Sequence, residues 1–329
     1  GLDPALIRAT AREMAAAAPA SLVHPGRHTT WYGDDTQRCR AIAILNALLG
    51  SWGRRGGFYA QEKVDLPEYP APQPPKSATD WKGVVQADYP LVATGISNKL
   101  LEHSIGDDAF IKGWFVYATN LPMTLPGSRE QIEAAAQSLD LMVVVDTMPA
   151  EITGYADVVL PECTYLERYD DLRNKPERIP SLALRMPAFE PSGESKPAWW
   201  MAKGIADRLG LGRYFPWQDY SEVLDWQLRQ VGSSLAELQK TGVKTFTRRT
   251  PVYFEPDEAV RFNTPSGKIE LYSSLLAEVG QEPLPRYRAP ERPPQGFYHL
   301  DYGRAPAHTF GRTINNPQLF ELMPENTVW

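Results

Sequence analysis

GWFVYATNLPMTLPGSREQIEAAAQSLDLMVVVDT, residues Gly113–Thr147, is the stretch whose reading decides the fold. It begins and ends on short apolar runs rich in Val, Phe and Tyr, residues that suit a pleated, buried surface. Between them SREQIEAAAQSLD reads as a helix, with Ser128 three residues before Gln131 in a capping-box pattern. Strands alternating with helices predict a parallel sheet covered on both faces.

Further runs extend the pattern outward. ADVVLP (Ala156–Pro161) and PLVATG (Pro90–Gly95) read as additional short strands. ASLVHPG (Ala20–Gly26) reads as a strand ended by Pro-Gly, and DDTQRCRAIAILNALLG as a helix starting at Asp35 or Thr36 and capped by Gly50. At the start, DPALIRATAREMAAAA has Asp3 as N-cap and Pro4 at the first helical position. LPEYPAPQPP (Leu66–Pro75) carries five prolines and excludes regular structure. After about Glu167 the chain turns charged and proline-rich. Two amphipathic helices follow, in AWWMAKGIADRLGLG and YSEVLDWQLRQVG, then a hairpin in RFNTPSGKIELYS around its Thr-Pro-Ser-Gly turn. PRYRAPERPPQG is a second irregular crossing, leading to what reads as a new domain.

Composition narrows the function. The 329 residues suffice for two or more lobes, and 43% hydrophobic with 22% charged residues is ordinary for a globular protein. A net charge of -6 argues against general nucleic-acid binding. The richest apolar run, AIAILNALLG, is too short to span a membrane and carries Asn46. Cys39 and Cys163 form neither a disulfide framework nor a Cys-x-x-Cys site, and read as buried small hydrophobes. Neither end has the look of a domain terminus, so the chain is expected to be a fragment of a longer one.

Parallel sheets bind ligands at the carboxyl ends of their strands. Three such ends carry polar residues: Thr119 and Asn120, Asp146 and Thr147, and the segment with His24, Gly26 and Arg27. Asp146 after its strand is placed either to accept from a ribose hydroxyl or guanine N–H pair, or to cap the following helix. No G-x-G-x-x-G turn, P-loop, G-x-S-x-G elbow or H-E-x-x-H is present. His24 and His28 have i, i+4 spacing, but Pro25 and Gly26 between them keep the pair off one helix face.

DTQRCRAIAILNALLGSWGRRGGF, YATNLPMT, VVVDTMPAEITGYADVVLPECTYLER, FNTPSGKIELYS and HTFGRTINNPQL follow one another as in the molybdopterin oxidoreductases of the dimethyl-sulfoxide-reductase family, which the chain resembles over nearly its whole length. The opening of HPGRHTTWYGDDTQRCRAIAILNALLGSWGRRGGF is most similar to the polysulfide, thiosulfate and tetrathionate reductase branch, with arsenate-respiring enzymes close. The resemblance implies part of a catalytic subunit that reduces a sulfur oxyanion or polysulfide in anaerobic respiration. An arsenate-reductase type and a cofactor-free structural homologue within a respiratory complex are the alternatives. It further implies bis(molybdopterin guanine dinucleotide) molybdenum as cofactor and a [4Fe–4S] centre in an N-terminal region absent from this chain. An iron–sulfur electron-transfer subunit, a membrane-anchor subunit and a periplasmic location complete that picture, and the fragment alone is expected to be inactive.

By the same resemblance the fold is α/β. A parallel-sheet Rossmann-like lobe with flanking helices is followed by an irregular, helical segment and the start of a C-terminal β-barrel-like domain. The expected boundaries are 1–23 as the tail of a preceding lobe, 24–170 as the cofactor-binding lobe, 171–296 as crossings, helices and hairpin, and 297–329 as the start of the final domain. Asp146 matches the guanine-binding carboxylate, with Thr147 beside it, and Asn120 matches the family's Thr-Asn-Pro turn, with Leu121 a departure before Pro122. Asp157, Pro161 and Glu167 match the Ala-Asp, Leu-Pro and acidic positions of the signature. Thr153 stands in for a family hydroxyl that Ile152 cannot supply. Thr309, Gly311, Arg312, Thr313 and Asn315 match the loop that closes over a pterin, and Gly26, Asp34 and Asp35 face the cofactor crevice. Arg27 is the candidate cation beside the metal, with His24 or His28 as proton donor; the alternative for Arg27 is pairing with Asp34 or Asp35. No residue matches a protein ligand to molybdenum.

Overall fold

A computed structural model describes residues 2–26, 35–73, 76, 80–92, 97–125, 129–289, 291–300, 303, 305–309, 313–325 and 327. The chain divides into two units, residues 1–284 and 285–329.

In the first unit, helix α1 (Pro4–Ala16) starts as the sequence predicts, with the Asp3 carboxylate accepting from Ala5 N–H at 2.9 Å. Helix α2 (Asp35–Leu48) also matches, and Gly50 beyond it takes a positive φ of 64°, which glycine adopts without strain. The expected strand before it does not form, and residues 21–26 have no regular structure. The reason is Asn46, on α2 and 1% exposed. Its amide accepts from Val23 N–H and donates to the Val23 carbonyl, both at 2.8 Å, so one side chain supplies what a neighbouring strand would.

Two helices, α3 (Trp81–Asp88) and α4 (Ser97–Glu102), precede strand β1 (Gly113–Tyr117). The expected PLVATG strand is not seen in its described part, where Val92 N–H closes a turn onto the Tyr89 carbonyl at 2.9 Å; residues 93–95 lie outside the described residues. From β1 the chain runs through α5 (Leu121–Thr124) and α6 (Arg129–Ser138) into β2 (Leu141–Asp146), then through a short 3-10 turn to β3 (Val158–Pro161). The Ser128 capping box lies outside the described residues. The three strands are parallel in the order β1-β2-β3, with Val116 opposite Val144 and Val144 opposite Val159.

Trp114, Val116, Met142 and Val144 point from this sheet into a core with Leu101, Ile132 and Ile152, and all are at most 6% exposed. Each such apolar side chain contributes roughly 1.5–3 kcal/mol on burial. The opposite face departs from the two-sided cover expected: Phe115 is 57% exposed and Val158 42%. Among the described residues nothing covers that part of it.

The remainder of the unit is mostly irregular, as its prolines dictate. Strand β4 (Ser181–Ala183) pairs antiparallel with β5 (Val243–Thr245), and between them lie α7 (Ala198–Arg208), α8 (Tyr220–Gln230) and α9 (Leu235–Thr241). Leu182, Leu224, Leu228 and Leu238 form a second core and are 0% exposed. The predicted hairpin keeps its turn, with Gly267 N–H donating to the Thr264 carbonyl at 3.0 Å, but forms no ladder. Local side chains take the backbone groups a ladder needs: Glu270 accepts from Ser266 N–H at 3.0 Å, and the Thr264 hydroxyl donates to the Lys268 carbonyl at 2.6 Å. Helix α10 (Ser274–Glu278) follows.

The second unit holds α11 (Pro317–Leu322), begun by Asn316, whose amide oxygen accepts from Leu319 N–H at 3.1 Å. No strand occurs among its described residues, so the barrel-like start expected at residues 297–329 is not seen there. No helix among the described residues is long and apolar enough to cross a membrane.

Candidate functional site

Parallel pairing puts the ends of β1, β2 and β3 along one edge. After β1, Ala118 takes φ 51°, a left-handed conformation that residues with a Cβ rarely adopt, while its N–H still donates to the Val145 carbonyl at 2.9 Å. The chain therefore turns sharply and delivers Asn120 to the residues that follow β2. The Asn120 amide accepts from Ile152 N–H at 3.2 Å and donates to the Glu151 carboxylate, and that bond holds Glu151 below the usual carboxylate range.

Asp146 ends β2. One of its oxygens accepts from Thr147 N–H at 2.7 Å and lies 3.5 Å from the Thr147 hydroxyl. It caps no helix, because the next helical turn begins at Glu151, with Ala150 in the cap position. Its second oxygen has no donor among the described residues. The edge thus presents a half-buried carboxylate with an open acceptor, next to a threonine hydroxyl and the fixed Asn120 amide.

Two sequence candidates lie elsewhere. The Asp157 carboxylate accepts from Met142 N–H at 2.7 Å, while Asp157 N–H donates to the Met142 carbonyl at 2.9 Å. That clamps the start of β3 to the start of β2, roughly 13 Å along the strand from Asp146. Thr153 donates its hydroxyl to the Ala150 carbonyl at 2.6 Å, inside its own turn. In the loop before α2, His24 accepts from Gly26 N–H at 3.0 Å through Nδ1, and Gly26 has φ 67°. Asp35, in the first turn of α2, pairs with Arg38 at 3.2 Å. Arg27, His28 and Asp34 lie outside the described residues.

In the second unit Thr309 and Thr313 are brought together, with Thr309 N–H donating to the Thr313 hydroxyl at 2.9 Å. His308 Nε2 lies 2.8 Å from the Met323 carbonyl and donates to it, and Nδ1 lies 3.4 Å from the Thr313 hydroxyl. Asn315 stands exposed in the same loop, and Gly311 and Arg312 lie outside the described residues.

The structure adds a polar hub that sequence reasoning missed. Glu162, one residue past β3 and 4% exposed, accepts from the Tyr117 hydroxyl at 2.9 Å and from Ala198 N–H, at the start of α7, at 3.3 Å. It also pairs with Arg168, whose guanidinium reaches Asp170 at 3.0 Å. The available signal was a carboxylate directly after an apolar strand and before a buried cysteine. Glu167 is held below its ordinary range chiefly by Thr164 N–H, at 2.8 Å, and it also accepts from Ser192 N–H at 2.9 Å. Cys163 is 0% exposed, and burial pushes its thiol pKa up; Cys39 is half-buried on α2. Among the described residues no three His, Cys, Asp or Glu side chains converge as a metal site.

The family model for molybdopterin oxidoreductases matches residues 11–208. The thiosulfate reductase molybdopterin-containing subunit PhsA of Salmonella typhimurium is 33% identical over 98% of this chain and 48% of its own length. Acetylene hydratase of Syntrophotalea acetylenica is 34% identical over 55% of this chain and 24% of its own. The arsenate respiratory reductase subunit ArrA of a Shewanella species is 26% identical over 75% of this chain and 31% of its own. Among solved structures, acetylene hydratase from Pelobacter acetylenicus superposes with a TM-score of 0.50 at 28% identity, covering 69% of this chain and 28% of that one. The chain thus spans about half the length, or less, of these curated relatives.

Proposed function

Because this chain belongs to the molybdopterin oxidoreductase family, we propose that it is part of the catalytic subunit of a molybdenum enzyme that reduces thiosulfate or a related sulfur compound. The alignment over 98% of the chain with a thiosulfate reductase subunit carries this reading. Membership in the family implies a molybdenum–pterin cofactor. That cofactor supplies the electron transfer and the exchange of an oxygen or sulfur atom.

The residues present fit a dinucleotide form of it. The open oxygen of Asp146 is an acceptor suited to a guanine N–H pair, and Thr147 beside it carries a hydroxyl donor. Asn120 and the Ala118 turn keep this edge rigid, so the carboxylate is set in place before any ligand arrives. Thr309, Gly311, Arg312, Thr313 and Asn315 are the proposed contacts to a pterin or phosphate, in the loop that would open a C-terminal domain. Arg27 is the proposed cation for an anionic sulfur substrate, with His24 or His28 holding the transferable proton. An iron–sulfur subunit, a membrane-anchor subunit, a [4Fe–4S] centre and a periplasmic location belong to the same proposal.

The test is made on the full-length protein. Molybdenum and guanine-nucleotide content, with reduction of thiosulfate, polysulfide, tetrathionate and arsenate by a reduced viologen dye, should give a loaded enzyme acting on a sulfur compound. Arsenate alone as acceptor would favour the arsenate-reductase reading. A protein carrying neither molybdenum nor guanine nucleotide would overturn the enzyme reading in favour of a structural subunit.

A further inference from the structure

Between the sheet edge and the helices that follow it lies a cavity of about 400 Å³ that the proposed chemistry does not use. Its volume falls in the range of small-molecule sites. The walls are electron-rich rings, among them Tyr69, Tyr117, Trp199, Trp217 and Tyr220. They support one another: Trp199 packs on Tyr220 with centroids 5.8 Å apart, and Trp217 on Trp226 at 5.0 Å.

The charge of the lining is uneven. Glu162 is paired with Arg168, and Asp170 with Arg168 and Arg185. Asp171 is different. Its partners are the hydroxyls of Tyr220 and, at 3.3 Å, Tyr69, both donating to the same carboxylate oxygen. No cationic group among the described residues meets it, and its other oxygen takes no donor there. Burial, with Asp171 next, pushes the Tyr69 hydroxyl up to about 12, so it remains a neutral donor and adds no compensating charge.

Ring faces attract cations through their quadrupoles, most strongly where water is excluded. A carboxylate without a counter-charge at the rim adds long-range attraction of the same sign. We propose that this cavity is a binding site for a small methylated ammonium compound, held by the faces of Trp199, Trp217 and Tyr220 with Asp171 as counter-ion. Asp146 does not line this cavity, and the proposal does not depend on the cofactor reading.

Choline and 3,3-dimethylbutan-1-ol share a shape and differ in the charge, so the pair isolates the cation. Calorimetric titration of the full-length protein should show saturable choline binding, with the neutral alcohol about tenfold weaker or more. Asp171→Asn, at an exposed position, should weaken choline by about fivefold while leaving the thermal unfolding midpoint unchanged. Equal binding of the two compounds, no saturable choline binding, or a folded Asp171→Asn protein that binds choline as wild type does would each overturn the proposal. The first comparison uses unaltered protein and stands whether or not a variant folds.

Discussion

Asn46 is the residue where one side chain decides the path of a distant segment. It sits in an apolar helical run, AIAILNALLG, where hydrophobicity alone would place another leucine. Its amide instead satisfies the Val23 N–H and carbonyl and donates to the Ile42 carbonyl at 3.0 Å. Removing it leaves buried backbone groups without partners, so Asn46→Ala should destabilise the protein by about 2–3 kcal/mol in urea unfolding. A loss below about 0.5 kcal/mol would show that water replaces the amide without cost. Asp146 leads to a prediction of a different kind. Among the described residues its carboxylate bonds only the adjacent Thr147, so Asp146→Ala should cost little stability and yet deplete the full-length protein of molybdenum and guanine nucleotide. Unchanged cofactor content would remove Asp146 from the site. The sequence placed Asn120, Asp146 and Thr147 on one edge because a strand's end is readable from its apolar run. It did not show that Asp157 belongs to the opposite end, since an acidic residue before a strand and one after it look alike until the pairing is known. The reach of Asn46 across 23 positions was equally hidden, because a side-chain bond to a remote backbone leaves no periodicity.

Elements with strong local signals form as read, namely α1, α2, α6, α7, α8 and the three parallel strands. Two of those that failed, residues 21–26 and the flanks of the Thr-Pro-Ser-Gly turn, are segments whose apolar residues fit a strand but whose backbone groups side chains satisfied instead. Helix α9 went unread although its signal was present. Ser234 stands three residues before Glu237, its hydroxyl accepts from Glu237 N–H at 3.2 Å, and Gly242 closes the far end with φ 71°. Because α9 buries Leu238 in the second core and leads directly into β5, loss of its cap should be felt beyond the helix. Ser234→Ala should lower stability by about 1 kcal/mol, and Ser234→Asp should restore most of it. Hydrogen exchange should show faster opening of residues 235–245 in the alanine variant. An unchanged pattern would mean that core packing alone holds the element.

At the scale of the whole first unit, long irregular segments are joined by charge rather than by ladders. Glu62 accepts from Arg249 N–H at 3.0 Å, from the Arg249 side chain at 3.2 Å and from the Thr250 hydroxyl at 2.8 Å, while its own backbone bridges to Glu177. The Arg249 backbone N–H is the main cause that pulls its pKa from 4.5 to about 2. Glu177, held by Arg173, and Glu237, held by Lys244, are lowered as well. A carboxyl group lowered in the folded state contributes stability that is complete above its unfolded pKa and is lost as pH falls through its folded one. Tyr69 works in the opposite sense. Its raised pKa of about 12 keeps its contribution complete below the ordinary value of 10, and that contribution is lost as pH climbs toward 12. Denaturant midpoints should therefore be level from about pH 5 to about pH 9 and fall on both sides. On the acid side Glu62→Gln separates the hub from general repulsion. It should be less stable than wild type near neutrality, and the two should converge as pH approaches the folded pKa of Glu62. Parallel acid limbs for the two proteins would mean that Glu62 does not set acid stability, and that loss of many weak surface pairs sets it instead.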